Sequence, residues 1–205
     1  LETGSLQHCR LVPDSGSIAG PDNMNTSFNI LELGQDDLRR IAPPVSEIND
    51  PVLQQKIDDL ITFVQQRGGM GIAATQVGIN QRFFIMSSHP NERYPYAPEM
   101  PATCVINPEI VWHSAHTEKD WEGCLSVPGL RALVPRYQQI QVRYWLRDAT
   151  QVETTYEGFM ARLFQYELDH LDGKVFVDRV ESTMEMMTES SWRSMLAEKS
   201  KGRDN

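Results

Sequence analysis

The chain has 205 residues, 40% hydrophobic and 8% aromatic, with 19 Lys and Arg against 28 Asp and Glu, for a net charge of −9. One globular domain accounts for that length, and at this size about 70% of the unfolded surface can be buried, so neither a disulfide nor a structural metal is needed to hold a core. The acidic balance, with no block of Lys and Arg, argues against nucleic-acid binding, and no apolar run approaches the roughly 18 residues of a membrane span.

Residues 1–23 are rich in Gly, Ser and Pro without a hydrophobic period, and Leu11 to Ser17 resembles a linker; they are read as a tag, linker or disordered segment, with Met24 as a candidate start of a single domain over 24–205. Cys9, Cys104 and Cys124 cannot pair completely and fit neither a zinc ribbon nor a secreted disulfide framework, which suits a reducing compartment. The N-terminus lacks the basic-then-apolar order of a signal peptide, so the expectation is a cytoplasmic protein, or one in an organelle of bacterial origin.

The first strong element starts at Asp50, a good N-cap, with Pro51 at the first helical position. Leu53, Ile57, Leu60, Ile61 and Val64 then recur at helical spacing until Gly68-Gly69 ends the helix. From Val77 to Val152 short β-rich runs follow, 83–86, 104–106 and 140–145, the last alternating as a half-buried strand does. A second helix is predicted from about Thr155 to Asp172, capped by Gly173 and followed by a strand-like Val175-Phe176-Val177. A third, Met-rich helix covers roughly Ser182 to Lys199, its Met184, Met186, Met187 and Met195 read as adaptable core packing ahead of a partner surface. Helix, strands, then helices without an internal repeat predict an α+β fold.

On the second helix, residues spaced 100° apart put Arg162, Gln165, Asp169 and Asp172 on one polar face, expected to meet water. The opposite side carries Phe159, Met160, Leu163, Phe164 and Leu171, with Tyr166, Glu167 and His170 among them. A carboxylate at Glu167 has to be paired, protonated or next to a cation, because an isolated buried charge is too expensive to keep. Positions 166 and 170 point the same way one turn apart, as two metal ligands on one helix must. A zinc-hydrolase helix reads His-Glu-x-x-His; here it is Tyr166-Glu167-Leu168-Asp169-His170, which by itself fits packing as well as ligation.

Two further segments bear on that choice: residues 69–76, Gly-Met-Gly-Ile-Ala-Ala-Thr-Gln, and residues 122–126, Glu-Gly-Cys-Leu-Ser, followed by Val127-Pro128-Gly129. With residues 165–173, Gln-Tyr-Glu-Leu-Asp-His-Leu-Asp-Gly, they resemble the three ordered motifs of peptide deformylases, and the resemblance spans roughly residues 28–180. It implies an α+β fold with antiparallel strands around a central helix that carries metal ligands. It also implies removal of the formyl group from N-formyl-methionyl nascent chains, with Fe(II), or Zn(II) or Ni(II) in its place, and the ribosome as a candidate partner. Cys124 would be the thiolate ligand, His170 an imidazole ligand, and Glu167 the general base that later delivers its proton to the departing amine. The backbone N–H of Leu125 and the Gln76 amide would hold the developing oxyanion. Gly71, Ile72 and Gly123 would line the cleft, Ile72, Phe159 and Leu163 the methionine pocket, and Arg131 the substrate entrance, where a solvated surface charge is the other reading.

At position 166 the family has a histidine, the third protein ligand, and this chain has Tyr166. Three arrangements are open: ligation by the phenolate, weak metal binding by two ligands and water, or a metal-free pocket packed by the tyrosine. Two functional readings result, a metalloamidase impaired to some degree by Tyr166, or a non-catalytic module that grips peptide N-termini.

Overall fold

A computed structural model of the protein describes residues 28–91 and 94–201. The expectations for residues 1–23, Met24 and Cys9 lie outside them.

Helix α1 (Pro51–Gln66) begins and ends on the predicted chemistry. The Asp50 carboxylate accepts the Val52 N–H at 3.0 Å, and Pro51 takes the first helical position. Gly68, at φ +58°, turns the chain so that the Gly69 N–H returns to the Val64 carbonyl at 3.1 Å. Its apolar stripe, joined by Phe63, packs against Ile72, Phe83, Ile85, Cys104 and Ile106.

Strands β1 (Gly71–Ala73), β2 (Phe83–Ser88) and β3 (Met100–His113) lead to the hairpin β4 (Thr117–Cys124) and β5 (Val127–Tyr137), then to β6 (Gln139–Trp145) and β7 (Gln151–Glu157). Five of them form an antiparallel sheet in the order β1-β2-β3-β6-β7. β6 alternates buried and half-buried residues as predicted, whereas β2 is buried throughout. The reason is that both faces of β2 are covered: Phe83 and Ile85 face α1, while Phe84 and Met86 pack with helix α2 (Gly158–Leu171). Phe84 meets Phe164 of α2 edge-on at 5.3 Å between ring centroids. The 14-residue β3 accommodates Pro108 through a break in register after Ile106, where Asn107 takes φ +51° and exchanges hydrogen bonds with Val45 at 2.8 and 2.9 Å. The architecture is α+β, with α2 central, as the sequence indicates.

Four expectations are corrected. The second helix starts at Gly158, three residues later than predicted, because Thr155 and Glu157 pair with Gln141 and Gln139 in the sheet. Val175-Phe176-Val177 is not a strand; a 3-10 turn occupies Phe176–Arg179. The Met-rich stretch is not one helix. Thr183–Glu185 form a 3-10 turn and β8 (Met186–Thr188) pairs with β5, which gives a second sheet in the order β4-β5-β8; only then does α3 (Glu189–Lys201) begin. Met186 packs into the core but Met184 is 91% exposed, so the methionines do not act together. The fourth correction is that most of the polar face of α2 does not meet water: Arg162, Gln165 and Asp169 are buried against the second sheet, while Asp172 is half-buried and pairs with Arg82 at 2.8 Å.

Candidate active site

The fold brings the three sequence motifs to one cleft of about 1130 Å³. Cys124 closes β4, Gln76 lies in the 3-10 turn Ala74–Val77 after β1, and Glu167 and His170 project from α2. Cys124 Sγ is 3.5 Å from His170 Nε2. The Ser126 N–H donates to the same sulfur at 3.3 Å, and the Gln76 side-chain amide donates to it at 3.5 Å and to Ser126 Oγ at 3.1 Å. Gln76 Oε1 accepts the Ala73 N–H at 3.0 Å, which fixes which end of the amide faces the sulfur. Thr75 Oγ1 donates to the His170 carbonyl at 3.0 Å and ties this turn to α2.

A tetrahedral metal with Zn–S near 2.3 Å and Zn–N near 2.1 Å separates its sulfur and nitrogen ligands by about 3.6 Å. The spacing of Cys124 and His170 therefore fits a shared ion. The third donor does not fit: the Tyr166 hydroxyl donates to the Gly123 carbonyl at 3.2 Å and lies beside the Cys124 sulfur, and its ring stands at 90° to the His170 ring with centroids 4.9 Å apart. Among the described residues no group of three His, Cys, Asp or Glu is placed to hold a metal ion.

Glu167 is 1% exposed, and its Oε2 has no hydrogen-bond partner among the described residues. Burial, and after it the charge of Glu122, raise its carboxyl well above the ordinary range, so it is protonated when no cation is near. Gly71 lies directly under it: a Cβ there would overlap the carboxylate. Burial also pushes the His170 imidazole down to about 4, which leaves the neutral form that a metal requires. It raises the Cys124 thiol, against the opposing hydrogen bonds of Tyr166 and Ser126. Burial, then Cys124 and Glu167, raise the Tyr166 phenol well above its usual value.

Behind the cleft runs a network of buried charges, part of which helical periodicity alone assigns to solvent. Arg136 donates to both Glu122 oxygens at 3.0 and 2.9 Å and to Asp169 at 2.5 Å, so one guanidinium links the segment carrying Cys124 to the helix carrying His170. Arg162 adds a second contact to Glu122 at 2.8 Å, and Arg179 a second to Asp169 at 2.5 Å. Burial acts to lower Arg136, but Glu122 and Asp169 outweigh it and hold the group charged. Arg136 had a legible signal, since Ala132, Val134 and Arg136 alternate on the inward face of β5, where a charge has to be paired.

Of the other predicted residues, Gly71, Gly123, Leu125, Phe159 and Leu163 line the cleft. Ile72 does not. The alternation of β1 sends its side chain to the opposite face, 1% exposed in the α1 cluster. Arg131 lines the cleft but is no solvated charge: it is 5% exposed, pairs with Glu189 at 2.9 Å, sits over the Trp192 ring at 4.7 Å and covers Gly123, where a Cβ would overlap its guanidinium. Sequence reasoning missed Met70, Tyr94, Trp192 and Leu196 as cleft residues. Tyr94 meets the predicted Phe159 at 4.9 Å between ring centroids.

Residues 27–186 match the family model described as polypeptide deformylase. The chain belongs to the polypeptide deformylase family. It is 49% identical to peptide deformylase 2 of Nostoc sp. over 172 residues, 84% of this chain and 96% of that protein. Peptide deformylase 2 of Bordetella bronchiseptica is 42% identical over 151 residues, 74% of this chain and 86% of that protein. Among solved structures, the Met-Ala-Ser-bound class I type b peptide deformylase of Acinetobacter baumannii superposes with a TM-score of 0.74 at 43% identity, covering 77% of this chain and all of that one. The deformylase of Synechococcus elongatus in complex with actinonin gives 0.68 at 32%, covering 87% and 89%. Deformylases are metal-dependent hydrolases that remove the formyl group from N-formyl-methionine of nascent polypeptides, and these matches do not favour the non-catalytic alternative. No helix among the described residues is long and apolar enough to cross a membrane.

Proposed function

We propose that this chain is a metal-dependent deformylase acting on N-formyl-methionyl peptides. The observation that carries the reading is Glu167, a carboxyl group buried with no hydrogen-bond partner for Oε2 among the described residues, in the cleft that Cys124 and Gln76 also line, with His170 buried behind it against the Cys124 sulfur. Such a group is costly in a merely structural role and useful as a proton carrier.

Cys124 and His170 would hold the ion, and their sulfur and nitrogen donors suit Fe(II), Zn(II) or Ni(II). When bound, a divalent ion supplies Lewis-acid polarisation at the cleft. The remaining work falls to the chain. Glu167 accepts a proton from the attacking water and returns it to the amine that leaves. The Gln76 amide, held in one orientation by Ala73 and Ser126, and the Leu125 N–H stabilise the oxyanion on the formyl oxygen. Phe159 and Leu163, with Met70 and Tyr94 beside them, offer the methionine side chain an apolar wall. β1 is an edge strand, and its free edge offers backbone groups for an extended peptide to pair with. Arg131, locked by Glu189 and Trp192, shapes the rim.

In this reading residues 24–205 act as one domain, the cytoplasm is the setting, and nascent chains are met at the ribosome. The test is formate release from formyl-Met-Ala-Ser, with and without a chelator, by the chain and by Tyr166→His at saturating divalent metal. Metal-dependent release supports the proposal; no release by either protein overturns it.

A further inference from the structure

A deformylase centre leaves Tyr166 to be explained, and the role assigned to this residue rests on that reading of the cleft. The geometry points to Tyr166 as a plug at the third-ligand position rather than a ligand: its hydroxyl is hydrogen-bonded to the Gly123 carbonyl and lies against the Cys124 sulfur, so the chain presents a two-donor Cys124–His170 site that holds a divalent ion loosely and is completed by an imidazole at position 166.

Three observations support this. The hydroxyl donates to the Gly123 carbonyl at 3.2 Å, and a phenolate there would face that carbonyl oxygen anion to lone pair after losing the proton that joins them. Gly123 is itself closely packed. The Arg131 guanidinium covers it, and that guanidinium is itself held by Glu189 at 2.9 Å and over the Trp192 ring. The tyrosine ring is equally constrained, packed against the cluster of Leu38, Val127, Val134 and Phe176 on one side and edge-on to His170 on the other. A phenolate ligand would also make a second anion beside a Cys124 thiolate, with the Glu167 carboxyl next to both.

Co(II) titration of the metal-free protein tests the assignment, because a Cys124 thiolate bound to Co(II) gives a charge-transfer band whether or not the protein turns over. The unsubstituted chain, Tyr166→Phe and Tyr166→His are compared, and thermal melts confirm that each is folded. Tyr166→Phe keeps the ring and removes only the oxygen, so its Co(II) affinity is expected within about threefold of the unsubstituted chain. Tyr166→His is expected to bind at least about 100-fold more tightly, since outer-shell changes alone reach 10–100-fold and this restores a direct ligand. Tenfold weaker binding by Tyr166→Phe, or equal binding by the unsubstituted chain and Tyr166→His, overturns the plug while leaving the deformylase centre intact. Absence of the thiolate band from Tyr166→His at millimolar Co(II) overturns the centre itself, and the plug with it.

Discussion

Replacing Arg136 by methionine removes a buried guanidinium that bonds a carboxylate on each of the two ligand-bearing segments. Arg136, Glu122 and Asp169 have side chains at most 5% exposed, and Arg136 makes two hydrogen bonds to the first carboxylate and one to the second. After the change Glu122 keeps Arg162 and Asp169 keeps Arg179, so both remain partly neutralised. Breaking a buried pair by deleting one partner costs about 3–5 kcal/mol, because the other charge stays buried. With total stability of about 5–15 kcal/mol and roughly 2–4 °C per kcal/mol at this size, the melting temperature should fall by roughly 6–20 °C. Urea denaturation of the metal-free protein at neutral pH measures the loss. Arg143→Met is the control: Arg143 is 42% exposed and pairs with Glu153 at 3.0 Å, so its loss should cost less than about 1 kcal/mol. Glu122→Gln combined with Arg136→Met should cost less than the two separate changes added together, since the charge left stranded is then gone. If Arg136→Met costs no more than Arg143→Met, the network is not the tie described.

Three further outcomes are expected. Gly71→Ala forces a Cβ into the Glu167 carboxylate and, in the Tyr166→His background, should lower kcat for formyl-Met-Ala-Ser by at least about 100-fold with little change in melting temperature; unchanged kcat contradicts the close approach. Phe164→Ala, which strips the ring packed on Phe84, Tyr144 and Tyr156, should cost about 3–5 kcal/mol in urea, and a loss under 1 kcal/mol contradicts the central placement of α2. In metal-free protein His170 stays neutral down to about pH 4 while the unfolded imidazole protonates near 6.5, so acidification through that window removes about 3 kcal/mol of stability. Glu167 works in the opposite sense, since its raised pKa gives a contribution present below pH 4.5 and lost as pH rises. Glu167→Gln should therefore steepen the loss of stability between pH 6.5 and 4, and an unchanged slope in urea midpoints counts against both assignments.

The elements readable in the sequence are those whose signals are local. Asp50-Pro51 and Gly68-Gly69 delimit α1 because caps act within a turn, and β6 alternates because one face is covered and the other is not. The polar stripe of α2 misleads because helical periodicity separates polar from apolar without saying whether the polar side meets water or charges of opposite sign. The partners of Asp169 and Arg162, namely Arg136 and Glu122, lie 33 and 40 residues away, and only the β4–β5 hairpin brings them in. The same distance hides β8, whose helix-compatible residues 186–188 are drawn into pairing by the open edge of β5. Ile72 is assigned to the cleft by the resemblance, and a three-residue strand is too short for its own pattern to show which side faces which layer. Cys124, Glu167, His170 and Gln76 are recoverable from ordered motifs, whereas the commitment of the Tyr166 hydroxyl to Gly123 is set by packing between segments distant in the chain.

The role of Glu167 is tested most directly by kcat/KM for formate release from formyl-Met-Ala-Ser, comparing Tyr166→His with Tyr166→His/Glu167→Gln at saturating Co(II) and equal metal content. A loss of at least about 100-fold with unchanged Co(II) binding is the predicted result. Equal rates in the two proteins would contradict it, because the buried carboxyl would then carry no proton in the reaction.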